Sequence, residues 1–197
     1  TRATASIGGF VAGGSGGVGS VRWGGLRDAG NILSLRLVTC EAEPRVIELR
    51  GDDIHQASHA YGVNGVITEV EAPLAPAYDW VDVLIGFEDW ERCNRFAETL
   101  GNQDAALLKQ LATVAAPVPH DCFLRHRKFV RREQHLVVAM VAPHSLDALL
   151  TVAARDPAAE IVFRSDRDET QGLPPAYELA WNHTTLRALR VDPSITY

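Results

Sequence analysis

Ser6-Ile7-Gly8-Gly9-Phe10-Val11-Ala12-Gly13-Gly14-Ser15-Gly16-Gly17-Val18-Gly19 holds seven of the sixteen glycines in a chain of 197 residues. Glycine has no side chain to bury and loses the most freedom on ordering, so such a run is not expected to build a core. Its usual use is close backbone approach to something large and charged, with bare N–H groups turned toward phosphate oxygens. The fold question is therefore which scaffold carries this run.

A nicotinamide-binding Rossmann unit is the first alternative. Gly14-Ser15-Gly16-Gly17-Val18-Gly19 satisfies G-x-G-x-x-G, and Glu41 stands where a ribose-binding acid is sought. The context argues against it. That fingerprint follows a buried strand and opens a helix, whereas only Ile7 to Val11, interrupted by Gly8 and Gly9, precedes Gly14. Downstream, Gly24, Gly25 and Gly30 fall within the next turns, each costing ~1 kcal/mol against alanine in a helix. Ser15 is no hydrolase nucleophile either, since G-x-S-x-G is not met.

The bulk numbers fit one large or two small globular domains: 46% hydrophobic and 22% charged residues. A net charge of -6 argues against nonspecific nucleic-acid binding. The basic run Arg125-His126-Arg127-Lys128 with Arg131-Arg132 reads as a solvated face. Three separated cysteines, Cys40, Cys93 and Cys122, give no disulfide framework and suit a reducing, cytoplasmic setting. No apolar run has the length of a membrane span. The chain opens at Thr1 inside the glycine region and stops at Tyr197 after a turn signal, so a segment of a longer protein is expected. Association into a homo-oligomer is left open.

Two rhythms divide the chain. Asn31–Thr39 and Arg45–Leu49 read as a hairpin turned at Glu41-Ala42-Glu43-Pro44. Asp52 or Asp53 caps an expected helix to Tyr61, ended by Gly62. Val66–Ala72 alternates, with Val66, Thr68, Val70 and Ala72 on one face and Ile67, Glu69 and Glu71 on the other. Pro73 and Pro76 set a boundary, giving expected domains over 1–76 and 77–197. Beyond it, Trp80–Phe87 reads as a strand and Glu88–Leu100 as an amphipathic helix stopped by Gly101. A short helix over Gln103–Gln110 leads into a strand over Leu111–Ala115. Cys122–Val130 is ambiguous. Leu136–Val141 and Ile161–Arg164 read as strands around a helix opened by Pro143 and Ser145, and a helix is expected over Tyr177–Leu189. Two successive β-α-β units imply an α+β, ferredoxin-like layer: an antiparallel sheet with helices on one face.

The motifs of the first half occur in a telling order: Ser6-Ile7-Gly8-Gly9 through Ala12, then Arg22-Trp23-Gly24 with Asp28, a strand pair, and Gly62-Val63-Asn64-Gly65-Val66-Ile67-Thr68. This order resembles the second half of the FAD-binding domain of FAD-linked oxidases of the vanillyl-alcohol-oxidase (PCMH) type, over about residues 5–75. Trp23 stands where that family more often has tyrosine. The resemblance implies FAD, held noncovalently because no His or Cys sits in a flavin-attachment context. Its implied cofactor-binding residues are Ser6, Gly8, Gly9, Gly13, Gly16, Gly62, Gly65, Val66 and Ile67. It also implies that residues 77–197 are the cap (substrate) domain, and that the parent enzyme oxidises an alcohol or 2-hydroxy acid by hydride transfer to flavin. The family's first FAD subdomain and its C-terminal part have no counterpart here, so this chain alone is expected to be inactive.

Other clusters are weaker. Within Trp181-Asn182-His183-Thr184-Thr185, His183 is a candidate for substrate contact, against a reading in which Asn182 and Thr184 merely cap a helix and Trp181 is core. His55 and His59 lie four apart, but Gln56 replaces the glutamate that a zinc peptidase needs. His120-Asp121-Cys122 lacks ligand spacing, and Asp166, Asp168 and Glu169 lack that of a calcium loop. No metal is expected. A noncatalytic ferredoxin-like binding module is the alternative from a different class.

Overall fold

Apolar residues at alternate positions pair Ser34–Thr39 (β1) with Val46–Arg50 (β2) as an antiparallel hairpin. Its turn is closed by the Arg45 N–H donating to Thr39 Oγ1 at 3.0 Å and by an Arg45–Glu41 fork with both bonds at 2.7 Å. That fork holds the Glu41 carboxyl down at about 2. Gly65–Glu71 (β3) adds to the other side of β1, giving the order β2-β1-β3. The computed structural model describes residues 5–14 and 16–195; Thr1, Ser15 and Tyr197, on which expectations above fell, lie outside them.

The glycine run is not simply a loop. Ile7–Gly13 forms a short helix (α1), because the Ser6 hydroxyl accepts the Gly9 N–H at 3.0 Å and Gly14 closes the end in the left-handed region. Val11 anchors it in a core with Ile32, Leu35, Leu37, Leu49, Ile54 and Ala57. The run therefore does contribute to a core, through the one β-branched residue facing the sheet. A single turn, Ser20–Trp23 (α2), follows.

Strict alternation over 66–72 fails at Thr68. The register steps from Arg36↔Glu69 to Leu37↔Ile67, leaving Thr68 as the extra residue of a bulge, with its hydroxyl donating to Arg36 O. Ile67 and Val70, expected on opposite faces, consequently both pack on the core. The expected helix to Tyr61 is a 3-10 turn over Gly51–Gln56, and neither Asp52 nor Asp53 caps it. His59, Tyr61 and Gly62 all adopt positive φ, which no helix can accommodate.

The chain divides into two compact units, residues 1–77 and 78–197. The second contains Val81–Phe87 (β4), Trp90–Gly101 (α3), Leu108–Val114 (β5), Val118–Cys122 (α4), His135–Val141 (β6), Leu146–Arg155 (α5), Glu160–Arg164 (β7) and Asn182–Val191 (α6). Its sheet runs β5-β6-β4-β7, antiparallel throughout. This is the strand order of a split β-α-β-β-α-β, or ferredoxin-like, arrangement.

Asp89 caps α3, accepting the Arg92 N–H at 2.7 Å, and Cys93, Phe96, Ala97 and Leu100 face the sheet as their spacing requires. Trp90 is partly exposed instead. Gly101 continues the helix, and Asn102 ends it. α3 and α5 cover one sheet face. The opposite face is also buried, under Phe123, Val130, Ala176 and Leu179, so β4 is buried along its whole length.

Three expectations change here. The helix over 103–110 is absent, because β5 already begins at Leu108 and pairs with Val141. The ambiguous 122–130 segment closes α4 and then forms a 3-10 turn over Arg127–Phe129. The helix over 177–189 is split: a 3-10 turn spans Ala176–Glu178, and Trp181, at φ 57, interrupts the chain before α6. All strand pairs among the described residues are antiparallel, so the parallel crossover of a Rossmann unit is not formed.

Candidate functional site

Folding of the first unit brings together two segments some fifty residues apart. Gly8 lies against β3, where a methyl on its Cα would meet Ile67 O at 3.4 Å. At the other end of α1, the His59 N–H donates to Val11 O at 3.2 Å and the Tyr61 N–H to Ala12 O at 2.9 Å. His59 Nδ1 lies 2.6 Å from Gly13 O, which makes it the protonated nitrogen. The 57–63 loop is thereby fastened along α1. Tyr61 is left 71% exposed, beside the His59 ring at 5.0 Å.

The glycines of these segments do different things. Gly65 (φ 152) and Gly14 (φ 63) are required by packing: side chains there would enter β1 and His59 respectively. The Gly9 N–H is taken by Ser6, and the Gly13 carbonyl by His59. At Gly17 an added methyl would meet nothing within 4 Å, and at Gly16 only Ser20 Oγ at 3.7 Å. Both line a cleft of about 280 Å³ walled by Phe10, Trp23, Asn31 and Pro73–Ala75. Asn31 builds one wall, donating to Trp23 O at 2.7 Å and Gly25 O at 2.8 Å, while Asp28 takes the Gly25 N–H at 2.6 Å.

Of the residues singled out from the sequence, Gly16 lines this cleft; Ser6, Gly8, Gly9, Gly13, Gly62, Gly65, Val66 and Ile67 do not. Gly62 and Val66 are exposed at and beyond the fastened loop, and Ile67 packs inward. Phe10 and Trp23 were quoted only as members of the glycine motifs and the Pro73–Ala75 segment only as a boundary; none was picked out as a cleft residue.

In the second unit the His183 ring places Nδ1 3.2 Å from Tyr177 O, so Nδ1 carries the proton and Nε2 is the acceptor. Thr184 Oγ1 back-bonds to Leu179 O at 2.7 Å. Trp181 is half exposed rather than core. No group of three His, Cys, Asp or Glu able to hold a metal occurs among the described residues, and none of their helices is long and apolar enough to cross a membrane.

The fold is mixed α/β with antiparallel sheets and matches that of a PCMH-type FAD-binding domain neighbour, as the ordered glycine motifs lead one to expect. Among the solved structures it resembles are two of alkyldihydroxyacetonephosphate synthase. In one crystal form the TM-score is 0.64 at 16% identity over 94% of this chain. In a second it is 0.65 at 17% identity, again over 94%. The chain spans 38% and 37% of the length of those two chains. No protein-family model matches it, and no curated protein does.

Proposed function

We propose that residues 1–76 are the second subdomain of an FAD-binding domain and residues 77–197 the cap of an FAD-dependent oxidoreductase acting on an alcohol or 2-hydroxy acid. The observation that carries the reading is the meeting of the two glycine segments, Gly8 on Ile67 and the 57–63 loop on α1, in a unit whose fold is that of a PCMH-type neighbour. The residues present fit a flavin nucleotide. At Gly16 and Gly17 the cleft has room that an added Cβ would begin to fill, the Gly17 N–H itself being donated to Ser20 Oγ at 3.1 Å, and Phe10 and Trp23 give the same cleft an apolar wall.

When bound, the flavin supplies a hydride acceptor for the substrate carbon. The chain does the rest. Main chain at Gly16 and Gly17 would line the cofactor's cleft, whereas Gly8 and the start of β3 over Gly65–Ile67, outside that lining, would hold α1 against the sheet behind it. Ser6, by capping α1, and Gly13, by accepting His59, keep that backbone in place. His183, its Nδ1 proton held by Tyr177, presents Nε2 to accept a proton from the substrate hydroxyl.

The test is a titration with FAD of the gene product that carries this chain, read by flavin absorbance and fluorescence. Gly17→Ala is expected to weaken FAD at least about tenfold, about 1.4 kcal/mol, with the melting temperature unchanged. A protein that ignores FAD overturns the reading and leaves the noncatalytic module. For His183→Ala we expect turnover to fall on the order of a hundredfold while FAD affinity holds; intact turnover removes His183 from the site.

A further inference from the structure

β4 is apolar except at Asp82, and β5 carries Gln110 into the same interior. The two reach one sheet face because β5 is bulged: Leu108 pairs with Val141 but Gln110 with Met140, so Lys109 is the extra residue and Gln110 is turned toward the face of Asp82. Asp82, Met140 and Gln110 then form a row across three strands. Asp82 is 9% and Gln110 1% exposed. Both close on one residue of the 3-10 turn that lies over them: the Ala176 N–H donates to Asp82 Oδ2 at 2.8 Å, and Gln110 Nε2 donates to Ala176 O at 3.0 Å. These bonds fix the orientation of the Gln110 amide.

One oxygen of each side chain is left over. Asp82 Oδ1 and Gln110 Oε1 are both buried acceptors without a donor. Such atoms are costly unless a donor is supplied, and two acceptors cannot satisfy each other. A proton on the Asp82 carboxyl turns one of these acceptors into a donor.

We propose that Asp82 and Gln110 form a proton-operated clamp on the Leu173–Ala180 segment: a proton taken from solvent onto Asp82 Oδ1 is donated to Gln110 Oε1 and holds the segment down, and its loss loosens the segment. Burial pushes the Asp82 carboxyl up from 3.8 to about 6, against the Ala176 N–H and the positive charge of Lys109. Lys109, the charged group on β5, is drawn over the Trp80 ring, 5.6 Å from its centre. β6 contributes only Met140 opposite Asp82. At the end of β7, Ser165 Oγ accepts the Asp82 N–H at 2.9 Å, while Arg164 and Arg167 are paired with Asp166 and Asp168. In the turn itself, Glu178 is paired with Arg187. Among the described residues, His126 is the other titrating group buried on this side of the sheet.

A folded-state value above the ordinary one means that the clamp is strongest below about pH 4 and weakens as pH rises through about 6. The held segment delivers Tyr177, whose carbonyl orients His183, so the device bears on turnover as far as His183 is rightly read as a substrate contact. The clamp itself does not depend on that reading or on flavin.

The test is amide hydrogen exchange on the full chain, corrected for intrinsic rates. Opening at Ala176 and its neighbours should rise up to about tenfold per pH unit between pH 4 and 6 and level off above. Asp82→Asn, which donates an N–H where the proton would be, should hold that opening constant across the range. Equal pH dependence in both proteins overturns the clamp. Carbon NMR of the Asp82 carboxyl in the unmodified protein supplies the second reading, independent of how the variant folds: a midpoint near 6 is expected, and one at or below 3.8 overturns it.

Discussion

Replacing Gly65 with alanine will unfold the first unit, at a cost of at least ~3 kcal/mol. Gly65 opens β3 at φ 152, opposite Thr39, and its Cα hydrogen points into the partner strand. A methyl there would lie 2.9 Å from Leu37 Cγ and 3.0 Å from the Val38 carbonyl carbon, with the Val38 oxygen closer still. Those atoms are β1 backbone and a core leucine, so neither side can yield without breaking the β1–β3 pairing that carries Ile67 and Val70 into the core. Gly62, three residues earlier, provides the contrast. It also has positive φ, but nothing lies within 4 Å of an added methyl. Gly62→Ala should therefore cost only the backbone term of about 1–2 kcal/mol. Urea denaturation, with hydrogen exchange at the β1 and β3 amides to report on this unit alone, separates the two. Protection in Gly65→Ala equal to that of the parent would mean that β3 does not pair as described.

The contrast also shows what the sequence could reveal. The order of glycine motifs identified the right fold because each glycine answers a backbone demand that another residue cannot meet, whatever lies around it. The identity of the demand was not legible. Gly65 and Gly16 look alike on the page, yet one is required by a neighbouring strand and the other faces an open cleft. Strands with strong alternation or unbroken apolar runs were visible, β4 and β6 within a residue, β1 with the right end at Thr39 but a start three residues later than Asn31. What stayed hidden were features set by pairing rather than composition. The bulges at Thr68 and Lys109 turn Val70 and Gln110 to faces that a period of two does not give them. α1 needed Ser6, Val11 and the left-handed cap at Gly14 to outweigh the three glycines at positions 8, 9 and 13, a contest that propensity alone decides the wrong way. Asp82 was the one buried functional group with a local signal, a carboxylate inside an apolar strand. Its partner Gln110 had none.

Acid will draw on two buried groups of the second unit in opposite directions, and single substitutions should expose the opposition. His126 is 2% exposed, edge-on to Phe163 at 5.5 Å, with Nδ1 unbonded. Burial, aided by the nearby charges of Arg187 and Lys128, pushes it down from 6.5 to about 4. The unfolded chain therefore binds this proton first as pH falls. The stability that neutral His126 contributes is complete above pH 6.5 and is lost toward pH 4, about 3 kcal/mol across the window. Asp82 has the reverse sign over nearly the same interval, because the folded chain takes up its proton before the unfolded one does. The parent should consequently show a shallow dependence between pH 4 and 6.5, concealing two steep ones. His126→Leu, which keeps an apolar contact with Phe163, leaves the carboxyl acting alone, so denaturation midpoints should rise on acidification. Asp82→Asn leaves the imidazole acting alone, so they should fall. Variants whose midpoints move in the same direction would show that at least one of these groups is more open to water than its packing indicates.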